Sequence, residues 1–211
     1  MLLNQNGIRC AYMGRRSLKN IRQEEIARAL YRCLLKKPFS KTTIKDIAKE
    51  AGVNHGMLHY YFKSKEEILL HFLDWVVAIH LDGFKQWYKS RHLDNLPFDR
   101  ALTLVLDYTI KKITLNEDLA KLFIEIWEIA LYNKTVKKKL QYVYHEWIDQ
   151  LAIIIGKETN EKIATVLSAA TIAFLEGMSL FSIMLRGKYP INTIVDYFEK
   201  RIETIIKMNI M

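Results

Sequence analysis

The run KTTIKDIAKEAGVNHGMLHYYFKSKEE, residues 41–67, constrains the fold more than any other part of the chain. Gly52 divides it into two helical signals of about two turns each, too short to stand alone and so obliged to pack on something else. Thr43 precedes Asp46 by three residues, a capping-box-like start, and Ile44, Ile47, Ala48 and Ala51 fall on one side of the helix that follows. Asn54 is a good N-cap for a second helix running to about Tyr60. Ser64 with Glu67 three residues later opens a long amphipathic helix toward Trp87, which Gly83 is placed to bend.

Two short helices about a tight turn, with small Ala48 allowing close approach, form a helix-turn-helix, whose second helix lies in the DNA major groove. If Leu58 and Phe62 are the buried row, Gly56 and Tyr60 point away from it, flanked by Met57 and His59. Asn54 and His55 sit at the N-terminal tip, where unpaired N–H groups and the helix dipole attract phosphate. Gly56 has no Cβ to hold backbone away from DNA. Lys63 and Lys65, beside a helix tip, suit phosphate. Core packing is the other reading of the aromatic residues here, and the preferred one for Phe62.

Charge agrees with this placement. Residues 1–67 hold 14 Lys and Arg against 6 Asp and Glu, so +8 of the net +9 lies in the first third of the 211-residue chain. That is the footprint of a module that meets a polyanion, joined to a nearly neutral module. Cys10 and Cys33 are the only cysteines, with no CxxC, which excludes a disulfide framework and a cysteine zinc site and fits a reducing cytoplasm. The start lacks a signal-peptide pattern, and no later charge-free apolar run reaches about 18 residues, which argues against secretion and membrane spanning.

Only Pro38, Pro97 and Pro190 interrupt the chain, and β-branched alternation is missing, so the expected fold class is all-α. Further helices are expected over 17–37, 98–113, 117–131, 135–155, 159–185 and 191–207, with Gly187 stopping one and Pro190 opening the next. Residues 1–16 carry no anchoring pattern and are expected to be a basic arm, with Met13 as a second candidate start. Residues 17–63 then make the helix-turn-helix domain and 64–211 a helical bundle.

The run TTIKDIAKEAGVNHGMLHYYFKSKEEIL resembles the DNA-binding signature of the tetracycline-repressor (TetR) family: T-x-x-x-I-A-x-x-A-G-V, a G-x-L-Y-x-Y/H-F core and a K-x-K-E/D-x-L tail. The match spans about residues 20–70. It implies a homodimer with an N-terminal three-helix DNA-binding domain and a C-terminal helical domain for dimerisation and a small-molecule inducer. By position, Thr43 and Lys65 would hold phosphates, and His55, Gly56 and Met57 would face bases. His59, Tyr60 and Tyr61 take the places of the aromatic cluster near the backbone and core. His59 replaces a frequent tyrosine and Met57 a common Ser or Thr, so the operator sequence does not transfer from relatives.

The resemblance turns attention to a cavity in the second module. Its candidate lining is Trp75, Tyr108, Phe123, Trp127, Tyr144, Trp147, Phe174, Glu176 and Met178, although a bundle core uses the same residue types. Glu176 is an acid within the apolar AFLEGMSLF; if buried it is paired, protonated or matched to a ligand. Apolar residues recur every three to four positions in the last two helices, as a C2 four-helix bundle between subunits would need, though intramolecular packing accounts for either stripe. No paired Glu-x-x-His, P-loop, GxGxxG or GxSxG motif occurs, and no metal set or cofactor is expected, so the chain is not read as an enzyme. The function expected is a cytoplasmic regulator, a repressor that binds a palindromic operator as a dimer and is released by a small hydrophobic or amphipathic effector. The alternative is an architectural DNA binder that needs no effector.

Overall fold

The computed structural model describes residues 18–185 and 188–208. The expected arm over 1–16, the start at Met13, the first residue of the 17–37 helix and the stop at Gly187 lie outside them. The described residues form helices and turns with no strand. The chain divides into two compact units between Val76 and Val77.

In the first unit, α1 (Leu18–Leu34) packs on α2 (Ile44–Ala51) and α3 (His55–Tyr61). Ile26, Ala27, Ala29, Leu30 and Cys33 of α1 are buried together with Ile47, Ala48 and Leu58, so each short helix borrows its stability from the shared core. The capping box of α2 is complete: Thr43 Oγ1 accepts from the Asp46 amide, and Asp46 Oδ2 accepts from the Thr43 amide at 2.7 Å. Lys37 Nζ also reaches Asp46 Oδ2, at 2.6 Å, and these donors hold the carboxyl well below the usual carboxylate range. Gly52 ends α2 at φ +67°, ψ +29°, with its amide on the Ala48 and Lys49 carbonyls.

Helix α4 (Lys65–Ser90) starts where expected, with Ser64 Oγ accepting from the Glu67 amide. Glu67 Oε2 takes the Lys63 amide, one residue before the usual capping-box donor. The first unit extends past residue 63 because Ile68, Leu69, Phe72, Leu73 and Val76 are all buried and Phe72 lies against the Tyr31 ring of α1.

The second unit contains the end of α4, then α5 (Phe98–Thr109), α6 (Glu117–Tyr132), α7 (Lys134–Ile155), α8 (Glu161–Met184) and α9 (Ile191–Met208). Asn116, Asn133 and Asn160 cap α6, α7 and α8 with side-chain oxygens on amides of the first turn. The expected 98–113 helix loses its α geometry after Thr109 and becomes a π-helical turn, Ile110–Thr114. This widening re-aims the side chains of the last turn before the helix ends at Leu115. Helix α8 is long and apolar enough to cross a membrane by length and composition, although Glu176 interrupts its apolar run. It packs along α7 and α6 on one side.

Gly52 supplies a clean test of the turn, since a Cβ built there meets nothing within 4 Å and only the backbone conformation resists a side chain. Gly52→Val is expected to destabilise the first unit by about 1–2 kcal/mol. Faster amide exchange through α2 and α3 of the full chain would register it, with Gly52→Asn costing less because Asn tolerates the left-handed region.

Candidate functional site

Leu58 and Phe62, at 0% and 2% exposure, turn one side of α3 into the core and thereby decide what the other side presents. His55, Gly56, Met57, His59 and Tyr60 are all exposed, Tyr60 at 73%. Asn54 Oδ1 accepts from the Met57 amide at 2.6 Å, so this residue caps the helix while remaining on the surface. The rings of His55 and His59, one turn apart, meet edge to face at 4.6 Å. Tyr61 is partly buried, and its carbonyl accepts from Gln23 Nε2 of α1. A Cβ at Gly56 would lie 3.6 Å from Asn54 Oδ1, an ordinary contact, so the fold itself does not demand glycine there.

The two residues expected at phosphates by position have other partners. Thr43 Oγ1 donates to Asp46 Oδ2 at 2.6 Å and accepts from the Asp46 amide, which occupies the hydroxyl in the cap. Lys65 Nζ donates to the carbonyls of Phe39 (2.8 Å) and Thr42 (2.9 Å) and sits 4.1 Å over the Phe39 ring. Burial lowers its pKa from the ordinary lysine value. The reason is local: Phe39–Lys41 forms a 3₁₀ turn just before α2, and its carbonyls point at the start of α4. Lys63, by contrast, is exposed.

In the second unit a cavity of about 120 Å³ lies among α4, α5, the π turn, α6, α7 and α8. Of the residues expected to line it, Phe123, Trp147 and Glu176 do so. Trp127 and Tyr144 stand one layer behind: Trp127 Nε1 donates to Tyr144 Oη at 2.7 Å, and Tyr144 Oη donates to Glu176 Oε1 at 3.1 Å. Burial pushes the Glu176 carboxyl up to about 7, against the opposing pull of the Tyr144 hydrogen bond. Burial, then the neighbouring Glu176 charge, keeps the Tyr144 phenol protonated far above its ordinary range.

The remaining expected positions are elsewhere. Trp75 belongs to the first unit, beneath the Arg28 guanidinium and beside Phe72. Tyr108 stacks on Trp87 at 4.3 Å, outside the lining. Phe174 stacks on Phe198 of α9, centroids 3.7 Å apart and planes within 7°, and Met178 is buried in the core. Aromatic content marked the right unit for all but Trp75, and it did not mark the helix rotation. His80 and Gln150 line the cavity and were missed, as were Thr109 and Thr114 beside the π turn. For His80 a signal existed: like Glu176, it is a polar residue inside an apolar run, here WVVAIHLDGF. Burial lowers its pKa and keeps the imidazole neutral near pH 7.

Residues 26–72 match the family model of bacterial regulatory proteins, tetR family. The HTH-type transcriptional regulator YerO of Bacillus subtilis is 35% identical over 66 residues, which is 31% of this chain and 23% of YerO. The chain thus spans well under half the length of the curated relatives it matches. The fold is similar to that of the regulator FadR from Bacillus subtilis in complex with stearoyl-CoA (TM-score 0.68, 16% identity, 85% of this chain and 96% of that one). It is also similar to that of a transcriptional regulator from Saccharomonospora viridis in complex with choline (TM-score 0.66, 22% identity, 90% and 97%).

The raised carboxyl of Glu176 carries a pH signature. Its folded pKa of about 7 exceeds the unfolded value near 4.5, so the folded state binds the extra proton between the two. Stability is full below the unfolded value and falls as pH rises to 7, by about 1.4 kcal/mol per unit and about 3 kcal/mol in all. Glu176→Gln, which still accepts from Tyr144, is expected to stabilise the chain at pH 8 and to change little at pH 4.5. Urea denaturation at the two pH values checks the difference.

Proposed function

We propose that this chain, a member of the TetR family through its N-terminal segment, is a transcription regulator that binds a palindromic operator as a dimer and is released by a small-molecule effector. The observation that carries this reading is the outward face of α3, where His55, Gly56, Met57, His59 and Tyr60 stand exposed on a helix locked by Leu58 and Phe62. Hydrogen-bonding side chains and a glycine on a helix of this kind suit base edges and close backbone approach. Asn54 and Lys63 flank that face and take phosphates.

Helix α8 supports dimerisation. Val166, Ala170, Ala173, Gly177, Phe181 and Met184 are exposed on the side opposite the cavity, with Val166 at 59% and Met184 at 63%. An apolar stripe of small and large residues on one helix suits a self-complementary C2 contact, with α9 beside it. The cavity favours an effector-responsive regulator over an architectural DNA binder. Stearoyl-CoA and choline, held by two proteins of similar fold, differ so much that the lining, rather than the fold, selects the effector. Such a protein works in the cytoplasm, with the chromosome.

Selection of bound DNA from a random pool, with mass measurement of the complex, tests this reading. Two half-sites with two-fold symmetry, occupied by two chains, are expected; a monomer protecting one asymmetric site overturns it. On the selected duplex, Lys63→Ala is expected to reduce the salt slope by about 0.9. Lys65→Ala is expected to leave that slope unchanged and to lower the melting temperature of the first unit, because the Phe39 and Thr42 carbonyls lose their donor.

A further inference from the structure

The cavity has one anionic group and nothing positive to match it. Glu176 projects from α8 into a wall of Phe84, Phe123, Trp147 and aliphatic side chains, and no Lys or Arg stands among the described residues that line it. The hydrogen bond shown to its carboxylate comes from Tyr144, onto Oε1. Of the titratable groups on the surrounding helices, the Tyr144 phenol of α7, itself anchored by Trp127 of α6, meets it directly, and the His80 imidazole of α4 lines the same cavity. Thr109 and Thr114, at the end of α5 and in the π turn, add only hydroxyl groups.

We infer that the effector is a small lipophilic amine whose ammonium group pairs with Glu176 while its apolar part lies against Phe84, Phe123 and Trp147. This rests on the reading of the cavity as the effector site. A carboxylate buried in an apolar wall carries a desolvation cost whenever it ionises, and a bound cation offsets that cost where a neutral ligand does not. An anionic ligand adds repulsion. An alcohol makes a single hydrogen bond, about half as strong as the charge-assisted bond an ammonium makes. Size selects too: the volume, about 120 Å³, is near that of cavities known to take one benzene, about 150 Å³.

Proton linkage gives the inference its own readout. Free Glu176, with a pKa of about 7, is mostly protonated at pH 6 and mostly ionised at pH 8. An ammonium bound beside it lowers that value, so binding at pH 6 expels a proton and affinity rises with pH until about 7. The amine itself, with a pKa near 10, stays charged throughout. His80, held neutral by burial, would oppose the cation only at lower pH, in the same direction.

Isothermal titration of the intact chain with three matched probes tests the assignment: 3-methylbutylamine, 3-methylbutanol and 3-methylbutanoate. The amine is expected to bind at least tenfold more tightly than the alcohol at pH 8, and the acid most weakly. Amine affinity should fall about tenfold from pH 8 to pH 6, with close to one proton released at pH 6 in buffers of different ionisation enthalpy. Glu176→Gln should weaken the amine at least tenfold and the alcohol far less, because the amide oxygen still accepts its single hydrogen bond; retained alcohol binding also shows that the cavity is intact. Amine binding that ignores both pH and Glu176→Gln, or an alcohol that equals the amine, overturns the cation assignment while the effector cavity stands. If none of the three binds, both readings fall; the pH series on the unmodified protein decides the matter even if the variant fails to fold.

Discussion

The burial of Leu58 and Phe62 is the constraint on which the first unit of this protein depends. A helix of seven residues has no stable orientation of its own, and these two side chains, buried in the core shared with α1 and α2, set its rotation. Every outward residue follows from that choice. The Gly52 turn and the Thr43–Asp46 cap then fix where α3 begins relative to α2. Lys65 contributes from the other side, gathering the carbonyls of the 3₁₀ turn that precedes α2. A positive charge close to the helix-turn-helix thus serves as an internal tie, because two carbonyls and an aromatic face surround the ammonium.

The second unit is organised by α8, which presents different chemistry in each direction. Toward α7 and the cavity it offers Glu176, tied to Tyr144 and through it to Trp127. Toward α9 it offers Phe174, stacked on Phe198. The remaining side is an exposed stripe from Val166 to Met184. A helix used on three sides is apolar nearly all round, which is why its composition also satisfies a membrane-span criterion. The π turn at Ile110–Thr114 has a comparable role at the cavity wall, where Ile113 and Thr114 face inward from a stretch that continued as an α-helix in the sequence pattern.

Much of this was already decided by sequence alone. Helix type and order follow from periodicity, scarce proline and side-chain caps, which act within four residues of the backbone groups they satisfy; Thr43, Asn54 and Ser64 all cap where their spacing indicates. The outward face of α3 follows in the same way, since a short helix with Leu58 and Phe62 as its apolar pair leaves little choice of rotation. Tertiary structure alone decided the rest. Tyr108, Phe174 and Met178 are as apolar as Phe123 and Trp147, and only the rotation of long helices in a packed bundle separates wall from core, while Trp75 falls in the other unit altogether. Lys65 and Lys63 are the same residue type two positions apart, yet carbonyls 23 and 26 residues earlier in the chain claim the Lys65 ammonium. Glu176 owes its raised pKa to the solvent that α4, α6 and α7 exclude. Local hydrogen bonds and helical period are written in neighbouring residues, whereas desolvation and long-range partners exist only once distant segments have met.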